Sequence, residues 1–465
     1  MPSFSKMATA PNNNFRVEIT NRQILQIALP ISLAILVPQI NFITNNIFLG
    51  NLHDKSLPEL GEQSLATAGI TGVFYLIFAV VGQGLNNGLQ ALIARRAGEN
   101  KIEEIGKLFS QSILISLALA LFCILFTYLF APWILQFSLK DSAVREQAVS
   151  FLRIRIWGLP FLFIYQMRNA LLVGTNQSKF LIYGTLAETI VNIGLDYSLI
   201  FGHFGLPKLG FNGAAYASII AEASGMFVVF IVIHLKGISK QLQLFNGFKF
   251  DAKNTKLILT QSSPLIFQYF MSVASWEFFY IMVEHHGKRD LAISNTMRNI
   301  FGIFGVFTWS FASTTNTMVS NIIGQGKKEK VIELILKIIK LSLCFSIPMA
   351  TLLNIFPHAF LSVFGQNADF EAAAIPIIRV VSIALIMMSF STVWLNAVTG
   401  TGNTDVNLAI EMITIIFYCI YVYLTLEYFN LPILYGWMSE WVYWISTFSF
   451  AFFYLRSGKW KKKVI

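Results

Sequence analysis

Glu188, Asn192 and Asp196 recur at i, i+4 and i+8 within Leu181 to Phe201, a stretch that is otherwise almost wholly apolar. On an α-helix such a row drifts only about 40° per step, so the three side chains share one face while Ile190, Ile193 and Leu199 take others. An amide between two carboxylates suits reversible cation binding, because it can donate to the ionised acid or ligate a cation through its carbonyl. The stretch is long enough to cross a bilayer, which takes roughly 20 residues. A carboxylate at the bilayer centre costs about 3 kcal/mol on insertion scales, so this face is expected to meet a cavity rather than lipid. Of the three, Glu188 lies closest to a helix end, where it can also simply reach the interface.

Other acids fall inside apolar stretches. Glu277, in Ala-Ser-Trp-Glu-Phe-Phe-Tyr, lies mid-span beside Trp276 and Tyr280 and is the candidate acid of a second cavity. Glu284, Glu427 and Glu440 lie close enough to helix ends to be read as solvated. Glu222 and Glu411 are deeper, but neither has a second carboxylate within a turn, so a hydrogen-bonded helix contact explains them as well as function does. The first apolar stretch carries Gln39, Asn41, Thr44, Asn45 and Asn46 between Pro38 and Phe48. Pro30 and Pro38 each remove a backbone donor, which predicts a kinked, amide-rich helix lining a cavity. The pair His285-His286 reads as a loop feature.

No metalloprotease, phosphate-loop or nucleophile-elbow signature is present, and no nucleophile and base stand at helical spacing. The chain is therefore expected to be no enzyme, with no catalytic residue, no metal site and no cofactor, and ATP is not its direct energy source. Transport would then draw on an ion gradient, of protons or sodium, acting on a buried carboxylate. Cys123, Cys344 and Cys419 are isolated inside apolar stretches and read as packing residues.

These side chains need a scaffold, and composition names its class. The 465 residues are 55% hydrophobic and only 12% charged, with 43 Phe, and the mean hydropathy is +0.62. Soluble proteins carry about twice that charge, so the chain reads as an all-α integral membrane protein. The net charge of +10 sits in short loops, a mark of orientation rather than of nucleic-acid binding. Apolar runs predict twelve helices at 23–50, 65–95, 108–131, 144–173, 180–202, 210–235, 256–286, 291–323, 332–356, 372–399, 405–429 and 432–456. An even count puts both termini on one side. Lys and Arg concentrate there, at Arg95, Arg96, Lys101, Lys179, Lys327, Lys328 and Lys459 to Lys463, which predicts cytoplasmic termini of a multi-pass protein in a bacterial-type inner membrane. The polar start offers no secretory signal peptide.

Gly98-Glu-Asn-Lys-Ile-Glu-Glu-Ile105 aligns with Gly324-Gln-Gly-Lys-Lys-Glu-Lys-Val331 at an offset of 226 residues. Leu65-Ala66 with Leu291-Ala292, and Arg153 with Arg379, keep that offset, and Asn169-Ala170 with Asn396-Ala397 falls one residue from it. Four matches within one residue of this offset predict two pseudo-symmetric six-helix lobes around a central cavity. The expected units are a cytoplasmic segment 1–22, an N-lobe 23–235, a cytoplasmic linker 236–255, a C-lobe 256–456 and a basic tail 457–465.

At this point the chain resembles the multidrug and toxic compound extrusion (MATE) family along nearly all its length. The resemblance is carried by Ile-Ala-Leu-Pro30, Ile-Phe-Leu-Gly50, Ile-Ala-Arg-Arg-Ala-Gly98-Glu and Asn192-Ile-Gly-Leu-Asp196-Tyr-Ser-Leu-Ile-Phe-Gly202. Lys208-Leu-Gly-Phe-Asn-Gly-Ala-Ala-Tyr-Ala-Ser218 and Ser320-Asn-Ile-Ile-Gly-Gln-Gly326 complete it. It implies a two-lobe transporter exporting amphipathic or cationic drugs against inward protons or sodium. It makes Asp196 the coupling aspartate, Asn192 and Asn169 its amide partners, and Pro30 the point where the first helix bends. Hairpin arithmetic alone puts Asn169 and Asn192 at different depths, so their pairing is implied by the resemblance only. Asn45 stands where the family has an aspartate, leaving one titrating group of that pair, and Glu277 is similar to a seventh-helix glutamate of eukaryotic members.

The reading that follows is a monomeric antiporter in membrane lipid, with organic cations or amphipathic drugs as partners and no nucleic acid. The alternative keeps the fold and makes the chain a flippase for a lipid-linked glycan, which would need a more basic cavity. Arg153, Arg155, Arg168 and Arg298 are the intramembrane cations that keep it open.

Overall fold

The computed structural model describes residues 15–50, 60–139, 141–244, 249–362 and 368–465. Part of the expected N-terminal segment and of the linker therefore lies outside the described residues. Among the described residues twelve long helical segments, here α1 to α12, run in chain order. In the first half they are Asn21–Gly50, Leu60–Glu99, Ile102–Ser138, Ser142–Gly174, Leu181–Phe201 and Phe211–Leu235. In the second they are Ala252–His285, Lys288–Gly324, Val331–Ile355, Ala368–Gly400, Thr404–Tyr428 and Ser439–Arg456. Each matches one expected span, most to within a few residues, with Ile102–Ser138 longer and Ser439–Arg456 shorter than expected. Lipid-facing positions stay apolar, with Phe122 62%, Leu129 70%, Ile190 70% and Phe137 76% exposed, a belt that water would not tolerate over so many helices.

Local chemistry sets the helix ends. Asp251 caps α7 by accepting from the amides of Lys253 at 2.9 Å and Asn254 at 3.2 Å, and these bonds, Asn254's first, hold its carboxyl below the usual aspartate range. α5 stops at Gly202, where φ is +78° and a Cβ would meet Lys208 Cβ at 2.8 Å. In α4 a 3₁₀ turn at Ile156–Gly158 separates two α-helical parts, and Pro160 just beyond it lacks the N–H that would continue the ladder. α1 holds Pro30 and Pro38 within one helical segment.

The two halves repeat one packing scheme. α1 lies on α5, α2 on α4, α3 on α4 and α5 on α6; in the second half α7 lies on α11, α8 on α10, α9 on α10 and α11 on α12. The lobes join through α2 against α7 and α8, and through α1 against α8. Apolar packing is continuous across that seam at the end carrying the described N- and C-terminal residues, where Ile24, Ile27, Leu89 and Leu92 share one cluster with Phe311, Met318 and Trp394. Toward the other end the clusters keep to single lobes: Phe279, Met297, Ile377 and Trp437 pack in the C-lobe, Phe78, Ile124 and Phe163 in the N-lobe.

The seam is two-fold. Gln90 Nε2 donates to the Ser313 carbonyl at 2.9 Å and Asn316 Nδ2 to the Asn87 carbonyl at 3.1 Å; each donor and each acceptor is the other's counterpart at the 226-residue offset. A Cβ on Gly98 would sit 2.1 Å from Asn321 O, and one on Gly324 2.3 Å from Arg95 O, again a counterpart pair. Arg95 Nε bonds the Ser320 carbonyl at 3.0 Å and Nη2 reaches those of Gly400 and Thr401 at 3.2 Å.

Its counterpart Asn321 does something else. The amide takes the Val17 N–H at 3.1 Å and donates to Phe15 O at 3.0 Å, so residues 15–20 lie as a strap over the crossing. Gln325 Nε2 to Val17 O at 2.9 Å, Arg16 Nε to Gly98 O at 3.0 Å and Lys337 Nζ to Ile19 O at 3.0 Å complete it.

Two outcomes test this seam. Gly98→Val forces backbone apart at the crossing and should cost about 1–3 kcal/mol of stability in this packed state, read as a lower thermal unfolding midpoint in detergent. Asn321→Ala removes both bonds to the strap, so hydrogen exchange at the Val17 amide should speed up while exchange in the middle of α2 stays unchanged.

Candidate functional site

α5 turns its polar row inward. Asp196 is 0% and Asn192 5% exposed, whereas Ile190 on the opposite face is 70% exposed. Close packing of α5 on α6 makes this possible. A Cβ on Gly184 would meet Val229 Cγ2 at 2.2 Å, and one on Gly225 would lie 3.1 Å from Glu188 Cβ, so glycine at both positions lets Glu188 tuck against α6.

The row faces an N-lobe cavity of 180 Å³ walled by Pro38, Asn41 and Asn45 of α1, Arg155 of α4, Glu188 and Asn192 of α5, and Ser218, Ala221 and Glu222 of α6. Asn45, Glu188 and Asn192 thus share one cavity. Asp196 lies one turn beyond Asn192, outside that lining, and neither of its buried carboxylate oxygens has a hydrogen-bond partner. The Oδ1 atoms of Asn41, Asn45 and Asn169 are also buried without partners. Asn169 therefore does not bond Asp196 in this conformation. Pro30 lies lower on α1, and Pro38 is the proline at the cavity wall.

Arg155 and Glu222 were not expected together. Arg155 Nη1 donates to Glu222 Oε2 at 3.0 Å, and Nη2 donates to Oε1. Tyr75 OH reaches the same carboxylate at 3.4 Å, and the Arg155 guanidinium lies 3.9 Å from the Tyr75 ring centroid. Gly158 is required here, because a Cβ would come within 2.3 Å of Arg155 Nη1 and 2.4 Å of Glu222 Oε2. With Glu222 neutralising Arg155, Glu188 leaves the cavity with an excess of acid and Asp196 adds to it. A wall of carboxylates and carbonyl oxygens suits a proton or a hard cation.

The C-lobe holds a second cavity of 180 Å³ with a different lining: Ser272, Ser275 and Trp276 of α7, Phe301 and Trp309 of α8, Met388 of α10, Tyr418 of α11, and Glu440, Tyr443 and Trp444 of α12. Glu277, the acid expected here, is half-buried next to Trp276 and is not part of the lining. The acid at the wall is Glu440, 4% exposed and accepting from Trp444 Nε1 at 3.0 Å. Its position near a helix start had marked it as solvated, but α12 packs into the C-lobe with this side chain buried. Glu411 stands behind the wall, taking the Ser272 hydroxyl at 2.6 Å and the Tyr443 hydroxyl. The i, i+3, i+4 spacing of Glu440, Tyr443 and Trp444 was the sequence signal for this face. Among the described residues, no group of three or more His, Cys, Asp or Glu side chains could hold a metal ion. His285 pairs with Glu427 at 2.9 Å near the helix ends.

Comparison with known proteins agrees with this architecture. The MatE family model matches residues 30–198 and 264–424, once in each lobe. A probable multidrug resistance protein NorM from Thermotoga maritima is 23% identical over 451 residues, covering 96% of this chain and 94% of its own. A NorM of the same description from Synechocystis is 27% identical over 209 residues, 45% of this chain and 43% of its own. Among solved structures, a MOP-superfamily transporter from Pyrococcus furiosus superposes with a TM-score of 0.86 at 16% identity, covering 98% of this chain and 100% of that one. A multidrug resistance MATE family transporter in its outward-facing conformation has a TM-score of 0.86 at 17% identity, over 98% and 100% of the two chains. The structures share the fold, and the match of the family model to both halves assigns the chain: it belongs to the MatE family, the multidrug and toxic compound extrusion transporters.

Proposed function

We propose that this protein is a secondary active antiporter that exports amphipathic or cationic organic compounds in exchange for protons or sodium ions. The observation that carries the reading is Asp196, wholly buried in the membrane-spanning part with both oxygens unpartnered, one turn from a cavity rich in acids and amides. An ionised carboxylate so placed is costly, and binding a proton or cation relieves the cost. Its occupancy therefore shifts the balance between a state sealed at the termini and one open there. Relatives described as multidrug resistance proteins support the cargo class. Arg95, Arg96, Lys101, Lys327 and Lys328 at the sealed end support cytoplasmic termini, in which case the conformation described here faces outward. One chain encloses both cavities, which supports a monomer as the working unit.

Asp196→Asn should abolish efflux of a cationic dye from proteoliposomes driven by an imposed proton or sodium gradient, while dye binding to the purified protein persists. Transport at the wild-type rate in this variant would overturn the reading, and the gradient that drives the wild type names the ion.

A lipid-linked glycan would need free cations for its phosphate. Arg155 is committed to Glu222; Arg168 is buried against the Met226 carbonyl and the Phe230 ring; Arg153 stacks near Tyr128 and Arg298 near Tyr280. These placements favour the organic cation. If Arg155 serves the pair rather than a phosphate, Arg155→Met should destabilise the protein by about 3–5 kcal/mol by stranding Glu222, and the double variant with Glu222→Leu should recover most of it. Denaturant titration of the single and double variants measures both.

A further inference from the structure

Residues 15–20 form neither helix nor strand, yet Phe15 is 4% and Val17 2% exposed, and both pack in the cluster that closes the seam. Their backbone groups are answered by side chains instead. Asn321 accepts from the Val17 N–H and donates to Phe15 O, as the peptide unit of a neighbouring strand would. Gln325 donates to Val17 O and Lys337 to Ile19 O. All four bonds come from α8 and α9 of the C-lobe, while the strap itself runs directly into α1 of the N-lobe. It therefore spans the two lobes.

The two-fold gives the strap a mate. Gln111 of α3 is the counterpart of Lys337 at the 226-residue offset. It too holds the segment leading into the first helix of the other lobe, donating to Lys249 O at 2.6 Å and accepting from the Asp251 N–H at 3.1 Å. That segment is the interlobe linker, covalently joined to both lobes. The strap takes the equivalent place by hydrogen bonds and burial alone, so it is the one that can let go. Opening the sealed end draws α2 away from α8, and the strap cannot then follow α1 and stay on α8 and α9. Asn321 is 0% exposed, and losing the strap leaves its amide without those two partners until water reaches it.

From this we infer that residues 15–20 are a latch that holds the sealed end shut and must leave α8 and α9 for that end to open. The latch goes beyond the coupling site and rests on the antiport reading only for its part in transport.

The test uses the full chain in nanodiscs, with Cys123, Cys344 and Cys419 replaced by alanine and spin labels on Lys107→Cys and Glu333→Cys. These exposed positions are counterparts at the 226-residue offset, on α3 and α9 at the sealed end, so the distance between them, read by electron double resonance, reports its opening. Asn321→Ala with Gln325→Ala removes three of the four bonds and should raise the open population at least about tenfold. Lys337→Met, on a different helix, should raise it about threefold and guards against a merely damaged α8. In a second, unlabelled protein, Val17→Cys and Gln325→Cys are joined by a bis-methanethiosulfonate. Dye transport should then fall below about a tenth of the unjoined rate and return on reduction. Unchanged distances in both labelled variants, or full transport with the strap joined, overturns the latch. If the labelled variants open the sealed end while the wild type moves no dye under either gradient, the latch stands and the antiport reading falls.

Discussion

A carboxylate inside a membrane must be answered by something, and the arrangement of this chain follows from how each acid is answered. Glu222 has Arg155 and Tyr75, Glu411 has Ser272 and Tyr443, and Glu440 has Trp444. Asp196 alone among these four has neither oxygen engaged. The engaged acids act as fasteners: the Arg155–Glu222 pair ties α4 to α6, and the Glu411 contacts tie α11 to α7 and α12. The unengaged one is where the proposed antiport places its coupling cation, since the energy absent from its surroundings is what a proton or cation can supply.

The two lobes show how one scaffold supports different chemistry. Their helix neighbours correspond under a shift of six helices, yet the walls facing their cavities do not. In the N-lobe, glycines at 158, 184 and 225 bring α4, α5 and α6 close enough for charged groups to meet one another. In the C-lobe the equivalent space is lined by aromatic rings, and its carboxylates accept from hydroxyl and indole donors rather than from a cation. Packing rules set the backbone; the side chains at the cavity walls set what each lobe can hold.

The fold was largely readable before any coordinates, because hydropathy and span length leave a membrane protein few choices. The helix ends, the 226-residue repeat and the inward face of Glu188, Asn192 and Asp196 all express local periodicity or composition. Contacts between distant helices do not. Nothing near Arg155 in the sequence names Glu222 as its partner, 67 residues away. Glu440 was misjudged because its burial depends on how α12 packs into the C-lobe, which its place near a helix start does not state.

The seam between α2 and α8 has one more implication. Residue 98 meets 321 while 324 meets 95, and 90 meets 313 while 316 meets 87. That is the signature of an isologous interface, in which i touches j and j touches i about a two-fold axis. A six-helix chain bearing Gly98 and the backbone around Arg95 would dock onto a second copy of itself through the same surface. Joining the copies into one polypeptide frees each side of the contact to change alone. Arg95 and Asn321 record that freedom: one reaches across to α10, and the other has let go of its mirror role to hold the strap at Val17.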